Sequence, residues 1–251
     1  MSQRWLAWFV AVFVMTGVTP VYAEQALVAV AANFVPPFRE LATEFEATTG
    51  HTLHVASGSS GNFYAQIKNG APFDVFLSAD VERPKLLEEE GLGVKDSRFT
   101  YAIGRLVLWS PNPELLKGEQ TLHAGNFKHL AIANPKTAPY GTAARQTMEK
   151  LGVWGQLQPR IVMGENLGQT MGFIESGNAE LGFVALAQVI DPKVNKKGAH
   201  WEVPKHLHEP IKQDVILLTK GKKNSAAHAL MQFIASADAQ AIIERYGYEL
   251  K

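Results

Sequence analysis

Short apolar runs alternate with helical patterns along nearly the whole chain, and that alternation restricts the fold more than any other feature. Leu27–Val30, Leu53–Val55 and Val75–Leu77 read as strands, with helices expected at about 37–49 and 62–69. A second set follows: a strand within Gly104–Trp109, then Leu130–Ala133, a helix at about 142–151, Ile161–Val162, a helix at about 167–176, and Leu181–Val184. Val215–Leu218 and a helical end from Ala226 to Tyr246 close the sequence. Apolar strands separated by helices require mainly parallel sheets covered on both faces. Two such sets in 251 residues make two α/β lobes.

Met1 to Ala23 has the form of a secretory leader, with Arg4 in a short n-region, an apolar run from Trp5 to Met15, and Val21-Tyr22-Ala23 before the expected cleavage site. The run is shorter than the roughly 20 apolar residues of a membrane span. No cysteine occurs, so disulfides, thiolate metal sites and a lipid anchor on cysteine are not expected. The expectation is a freely diffusing monomer in the periplasm, without stable membrane insertion. Basic and acidic residues balance at 24 each, so nothing in the charge favours nucleic acid.

Between the strand end at Val55 and a helix from Asn62 lies Ser57-Gly58-Ser59-Ser60-Gly61. Hydroxyls and bare amides at a helix start favour an anion, because first-turn N–H groups have no partner within the helix. The same succession of strand end, small or polar residues and helix start recurs at Ala31-Ala32-Asn33, at Ala138-Pro139-Tyr140-Gly141-Thr142 and at Gly164-Glu165-Asn166-Leu167-Gly168. In most α/β proteins such loops are ordinary caps. If all four face one cleft outside the carboxyl ends of the strands, they bring amide donors to one ligand.

The stretch Gly70-Ala71-Pro72-Phe73-Asp74-Val75, continued by Phe76-Leu77-Ser78-Ala79-Asp80, closely resembles the segment after the serine loop in periplasmic molybdate-binding proteins of ABC importers. The resemblance runs from about Ala26 to Tyr246-Gly247-Tyr248. It implies a two-lobed type II periplasmic binding protein fold, with lobe 1 at about 24–103 and 213–251, lobe 2 at about 104–212, and crossings near 101–106 and 212–216. It also implies no catalysis and no cofactor. The ligand would be molybdate, with tungstate also expected, and the partner an ABC permease in the inner membrane. The positions that match the family's oxyanion site are Asn33, Ser60, Tyr140 and Leu167, with Ala32, Ser59 and Ala185 as further candidates. Asn33 stands where some members have serine, so that either its side-chain amide or its N–H serves. Ala185 stands where some carry a tyrosine whose hydroxyl donates, so that bond is absent here. Removing the Asn33 side chain is accordingly expected to cost more affinity than stability.

These positions carry no charge. A fully ionised tetrahedral dianion has only acceptor oxygens, which a donor-only pocket satisfies, whereas hydrogen phosphate brings a proton that needs an acceptor. Sulfate and thiosulfate are the first rivals on this ground. A periplasmic phosphate or sulfate ester hydrolase is the rival from another class, but the chain has no Gly-x-Ser-x-Gly and no Gly-Lys-Ser/Thr. Glu165 is expected to face solvent, since a carboxylate beside a dianion is unfavourable. His206 and His208 read as a solvated loop, and His51 and His54 lack a third metal ligand.

Overall fold

The computed structural model describes residues 23–191 and 197–250; the expected leader, apart from Ala23, lies outside the described residues. The first sheet contains β1 (Gln25–Ala31), β2 (Thr52–Gly58), β3 (Val75–Leu77) and β4 (Phe99–Gly104). The second contains β5 (Leu106–Ser110), β6 (Leu130–Ala133), β7 (Ile161–Gly164), β8 (Leu181–Ala185) and β9 (Ala199–Glu202). A last strand, β10 (Ile211–Leu217), returns to the first sheet. The orders are β2-β1-β3-β10-β4 and β7-β6-β8-β5-β9. Within each sheet one strand opposes the rest: β10 is antiparallel to β3 and β4, and β5 to β8 and β9. These are the strands that arrive from the other lobe. The sheets part at Arg105, between β4 and β5, and again in the segment 203–210.

Both faces of the central strands are covered, which explains their apolar runs. Val28, Val30, Val75, Leu77, Val215 and Leu217 pack against the helices Val35–Thr49, Ser225–Ile234 and Ala237–Arg245. Their neighbours Ala29, Phe76 and Ile216 point the other way, to Phe63, Ile67 and Leu87. Leu106 and Leu108 against Val107 and Trp109 repeat this division in the second lobe.

Two strands escape the apolar pattern. β4 and β9 lie at the sheet edges and are only partly buried, so the hydrophobic signal that marks a central strand is weak in them. The helical end at 226–246 is two helices. Ser236 interrupts it, its Oγ accepting from the N–H of Ala239 at 3.3 Å and starting the second helix.

The edge strand β4 is pinned to β10 by a buried carboxylate. Asp214 is 1 % exposed and accepts from Arg98 Nη1 at 2.5 Å and Thr100 Oγ1 at 2.7 Å, beside a bulge between Gln213 and Asp214. Arg98→Met leaves that charge buried with one neutral donor. The expected loss of unfolding free energy is about 3 kcal/mol, measured by urea denaturation of the ligand-free protein. A loss under about 1 kcal/mol would mean that the pair behaves as an exposed one.

Candidate functional site

Strand ends and helix starts from both lobes enclose one pocket. Ala31, Ala32, Asn33, Gly58, Ser59, Ser60 and Ala79 line it from the first lobe. Ala138, Pro139, Tyr140, Asn166 and Leu167 line it from the second. Its cavity volume is about 10 Å³, far below the roughly 300–1,000 Å³ typical of drug-sized ligands. Among the described residues no lysine, arginine, aspartate or glutamate belongs to the lining.

The local hydrogen bonding determines which donors remain. In the helix Pro139–Lys150, Pro139 has no N–H, and Gly141 and Thr142 both donate to the carbonyl of Ala138. Tyr140 is thus the residue of that turn with an unspent N–H. In the helix Leu167–Glu175, Asn166 caps the N–H of Gln169 through Oδ1 and that of Thr170 through its carbonyl, which leaves Leu167 and Gly168. The Gln169 side chain reaches back to accept from the N–H of Glu165 at 2.7 Å, a reciprocal cap that fixes the loop. In the helix Ser60–Lys68, Gly61 and Phe63 have backbone acceptors, which leaves Ser60 and Asn62. All of these orphan donors lie at the positive ends of helix dipoles.

Two serine hydroxyls reinforce them. Ser60 Oγ accepts from the N–H of Ala79 at 2.8 Å, so its own hydrogen is free to turn into the pocket. Ser59 Oγ is buried without a hydrogen-bond partner among the described residues, the state expected of a donor that waits for a ligand.

Asn33 behaves differently from the expectation for its side chain. Both hydrogens of its amide are committed, to Gln213 Oε1 at 2.8 Å and to the Tyr248 hydroxyl at 3.1 Å. Tyr248 in turn donates to the carbonyl of Asn33 at 2.9 Å. The side chain therefore holds its loop in place, and what it leaves for the pocket is backbone. Ala185 also departs from the expected set. It does not line the pocket, and its N–H is taken by Gln188 Oε1 at 3.1 Å. The same Gln188 donates to the carbonyl of Leu167 at 3.2 Å, steadying the loop of a proposed donor.

Tyr101 and Gln213 were not singled out by sequence, and Tyr140 and Tyr248 were named there without a role for their buried hydroxyls. Their signal would have been polar residues within apolar strands, as in Gln213 of β10. Burial raises the Tyr101, Tyr140 and Tyr248 hydroxyls above the usual phenol range, so all three stay protonated.

The lobes touch across the pocket mouth. The N–H of Gly61 donates to the carbonyl of Thr137 at 2.8 Å, and Arg83, paired with Asp80, donates to the carbonyl of Lys136 at 3.2 Å. Glu165 is exposed. His206 is exposed too, but His208 is buried and its Nδ1 lies 2.7 Å from the carbonyl of Glu209, so the loop is solvated only in part. Burial holds the His208 pKa below the ordinary imidazole value. Among the described residues no three histidine, aspartate or glutamate side chains gather as a metal site would need.

Residues 26–249 match the family described as bacterial extracellular solute-binding protein. The chain is 49 % identical over 230 residues to the molybdate-binding protein ModA of Azotobacter vinelandii, covering 91 % of each chain. It is 47 % identical over 229 residues to the molybdate-binding protein ModA of Rhodobacter capsulatus, covering 91 % of this chain and 90 % of that one. A solved periplasmic molybdate-binding protein of Azotobacter vinelandii superposes with a TM-score of 0.87 at 42 % identity, over 90 % of this chain and 99 % of that one.

The Asn33 geometry changes the order of effects expected from its removal. Asn33→Ala takes a donor from Gln213 Oε1 and from Tyr248, both buried. Ligand-free protein should lose about 1–3 kcal/mol of stability, seen as a lower melting temperature. Melting unchanged from the wild type would show that the amide does not hold this loop.

Proposed function

The chain belongs to the bacterial extracellular solute-binding protein family, and from that membership we propose that it captures molybdate between its lobes and delivers it to an ABC importer in the inner membrane. The relatives that share nearly half its sequence are named as molybdate-binding proteins. Tungstate, with the same charge and shape, is a second ligand. The protein acts in the periplasm after losing a leader at Ala23, and it binds its ligand without chemical change.

One observation carries this reading: a small pocket without charged side chains, edged by helix starts whose N–H groups have no other acceptor. A dianion seated there accepts from the N–H groups of Asn33, Ser60, Tyr140 and Leu167 and from the Ser60 hydroxyl. Ala32 and Ser59 stand in reach of the same ion, and the unpartnered Ser59 hydroxyl is a further donor to it. Hydrogen bonds to a charged partner contribute about 1.5–3 kcal/mol each. Six of them support submicromolar binding after the cost of ordering two lobes. A protonated anion such as hydrogen phosphate finds no carboxylate to take its hydrogen.

Calorimetric titration of the mature chain with molybdate, tungstate, sulfate and phosphate tests the assignment. Molybdate and tungstate should bind far more tightly than the other two. Ser60→Ala should weaken molybdate by about 1.5–3 kcal/mol, on the order of tenfold to a hundredfold. Equal affinity for all four anions, or tighter binding of sulfate, would overturn the choice of ligand.

A further inference from the structure

Gln213 stands on the strand by which the chain re-enters the first lobe, and it is fully buried. Its Oε1 accepts from Asn33 Nδ2 at 2.8 Å, and the Tyr101 hydroxyl lies 3.1 Å from both that oxygen and the carbonyl of Ser78. Its Nε2 donates to the Tyr140 hydroxyl at 3.3 Å. Ser78 precedes Ala79, whose N–H sets the Ser60 hydroxyl. One amide thus reaches three of the proposed donor loops, directly at Asn33 and Tyr140 and through Tyr101 and the Ser78–Ala79 backbone at Ser60.

Only one of these contacts spans the cleft. Asn33, Tyr101 and Ser78 belong to the first lobe, on or directly after its strands, whereas Tyr140 stands in the first turn of a helix of the second lobe. The crossing strand is shaped to let it through. A Cβ on Gly104 would fall inside the Tyr140 hydroxyl and 2.6 Å from Gln213 Nε2. The phenol therefore passes over the hinge at the one residue without a side chain and docks on the amide behind it.

Resting on the molybdate reading, we propose that Gln213 is a positioning residue for oxyanion capture: docking of the Tyr140 hydroxyl on it, possible only when the lobes meet, fixes the Tyr140 N–H toward the ion and stabilises the closed form. The ring of Tyr140 connects the two ends of this device. Its hydroxyl is held by the first lobe, and its backbone N–H is the donor that the second lobe brings to the pocket. Separation of the lobes breaks the Gln213 contact and frees that turn, so release of the ion and loss of the docked phenol are one event. In the open form, water replaces the missing partner.

The test uses Tyr140→Phe, Gln213→Leu, their double variant and Gly104→Ala in the mature full-length protein, with sodium molybdate as the probe. Affinity is read by calorimetry and release by stopped-flow displacement. Tyr140→Phe keeps the N–H, so a purely backbone role for Tyr140 would leave it silent. We expect it to weaken molybdate by about threefold to tenfold, mainly through faster release. The ligand-free melting temperature should stay near that of the wild type. The double variant should lose less than the sum of the two single losses, since both singles remove the Tyr140–Gln213 contact, while Tyr140→Phe also takes a hydroxyl from Tyr248 and Gln213→Leu also frees Asn33 and Tyr101. Gly104→Ala, which blocks the same docking by crowding while leaving both partners' side chains in the sequence, should speed release as well and stands in if Gln213→Leu does not fold. Unchanged affinity in both Tyr140→Phe and Gly104→Ala, or losses that add in the double variant, overturn the inference while leaving the ligand assignment intact. Wild-type protein that does not bind molybdate overturns both.

Discussion

A doubly charged anion held away from water without a cation beside it must be met by N–H and O–H groups that have nothing else to bond. Folded chains rarely leave such groups unspent. Helix starts are the regular exception, and this chain points four strand-to-helix junctions at one small space. Pro139, the Asn166 cap and the Gly61–Thr137 contact each consume or remove neighbouring donors. What remains is a narrow set of donors aimed inward. Charge neutrality in the lining is part of the same design, because a lysine there would hold any anion, whereas amides and hydroxyls reward one that brings only acceptors.

The two lobes make that set divisible. Asn33 and Ser60 belong to one lobe and Tyr140 and Leu167 to the other, so neither lobe alone encloses the pocket. Closure depends on close backbone approach. A Cβ on Gly61 would lie 2.8 Å from the Cα of Thr137 across the cleft, a distance that real side chains do not adopt. Ala31, Ala32 and Ala79 complete the contact by joining the apolar cluster of the second lobe. Small residues on the first lobe are therefore a condition for the pocket to close, and they account for the alanine and glycine content of the junctions.

Much of this was legible in the sequence. Central strands such as Val75–Leu77 and Leu130–Ala133 declare themselves because both faces are buried, and the serine loop declares itself as a helix start that lines the pocket. The edge strands β4 and β9 were hidden because their outer halves are wet and their composition is mixed. The role of Asn33 was hidden for a different reason. Its amide is satisfied by Gln213 and Tyr248, which lie 180 and 215 residues further along the chain, and no local pattern announces a partner at that distance. Gln188, which spends the N–H of Ala185 and steadies Leu167, is invisible for the same cause: a single buried glutamine reads as noise until the fold supplies its partners.

The most direct test of the account is a crystal structure of the mature protein with molybdate, with the metal located by anomalous scattering at the molybdenum edge. The account predicts one strong peak between the lobes, its oxygens about 2.7–2.9 Å from the N–H groups of Asn33, Ser60, Tyr140 and Leu167 and from the Ser60 hydroxyl, with no lysine or arginine in contact. A peak elsewhere, such as on the loop of His206 and His208, or an ion held by cationic side chains, would contradict it.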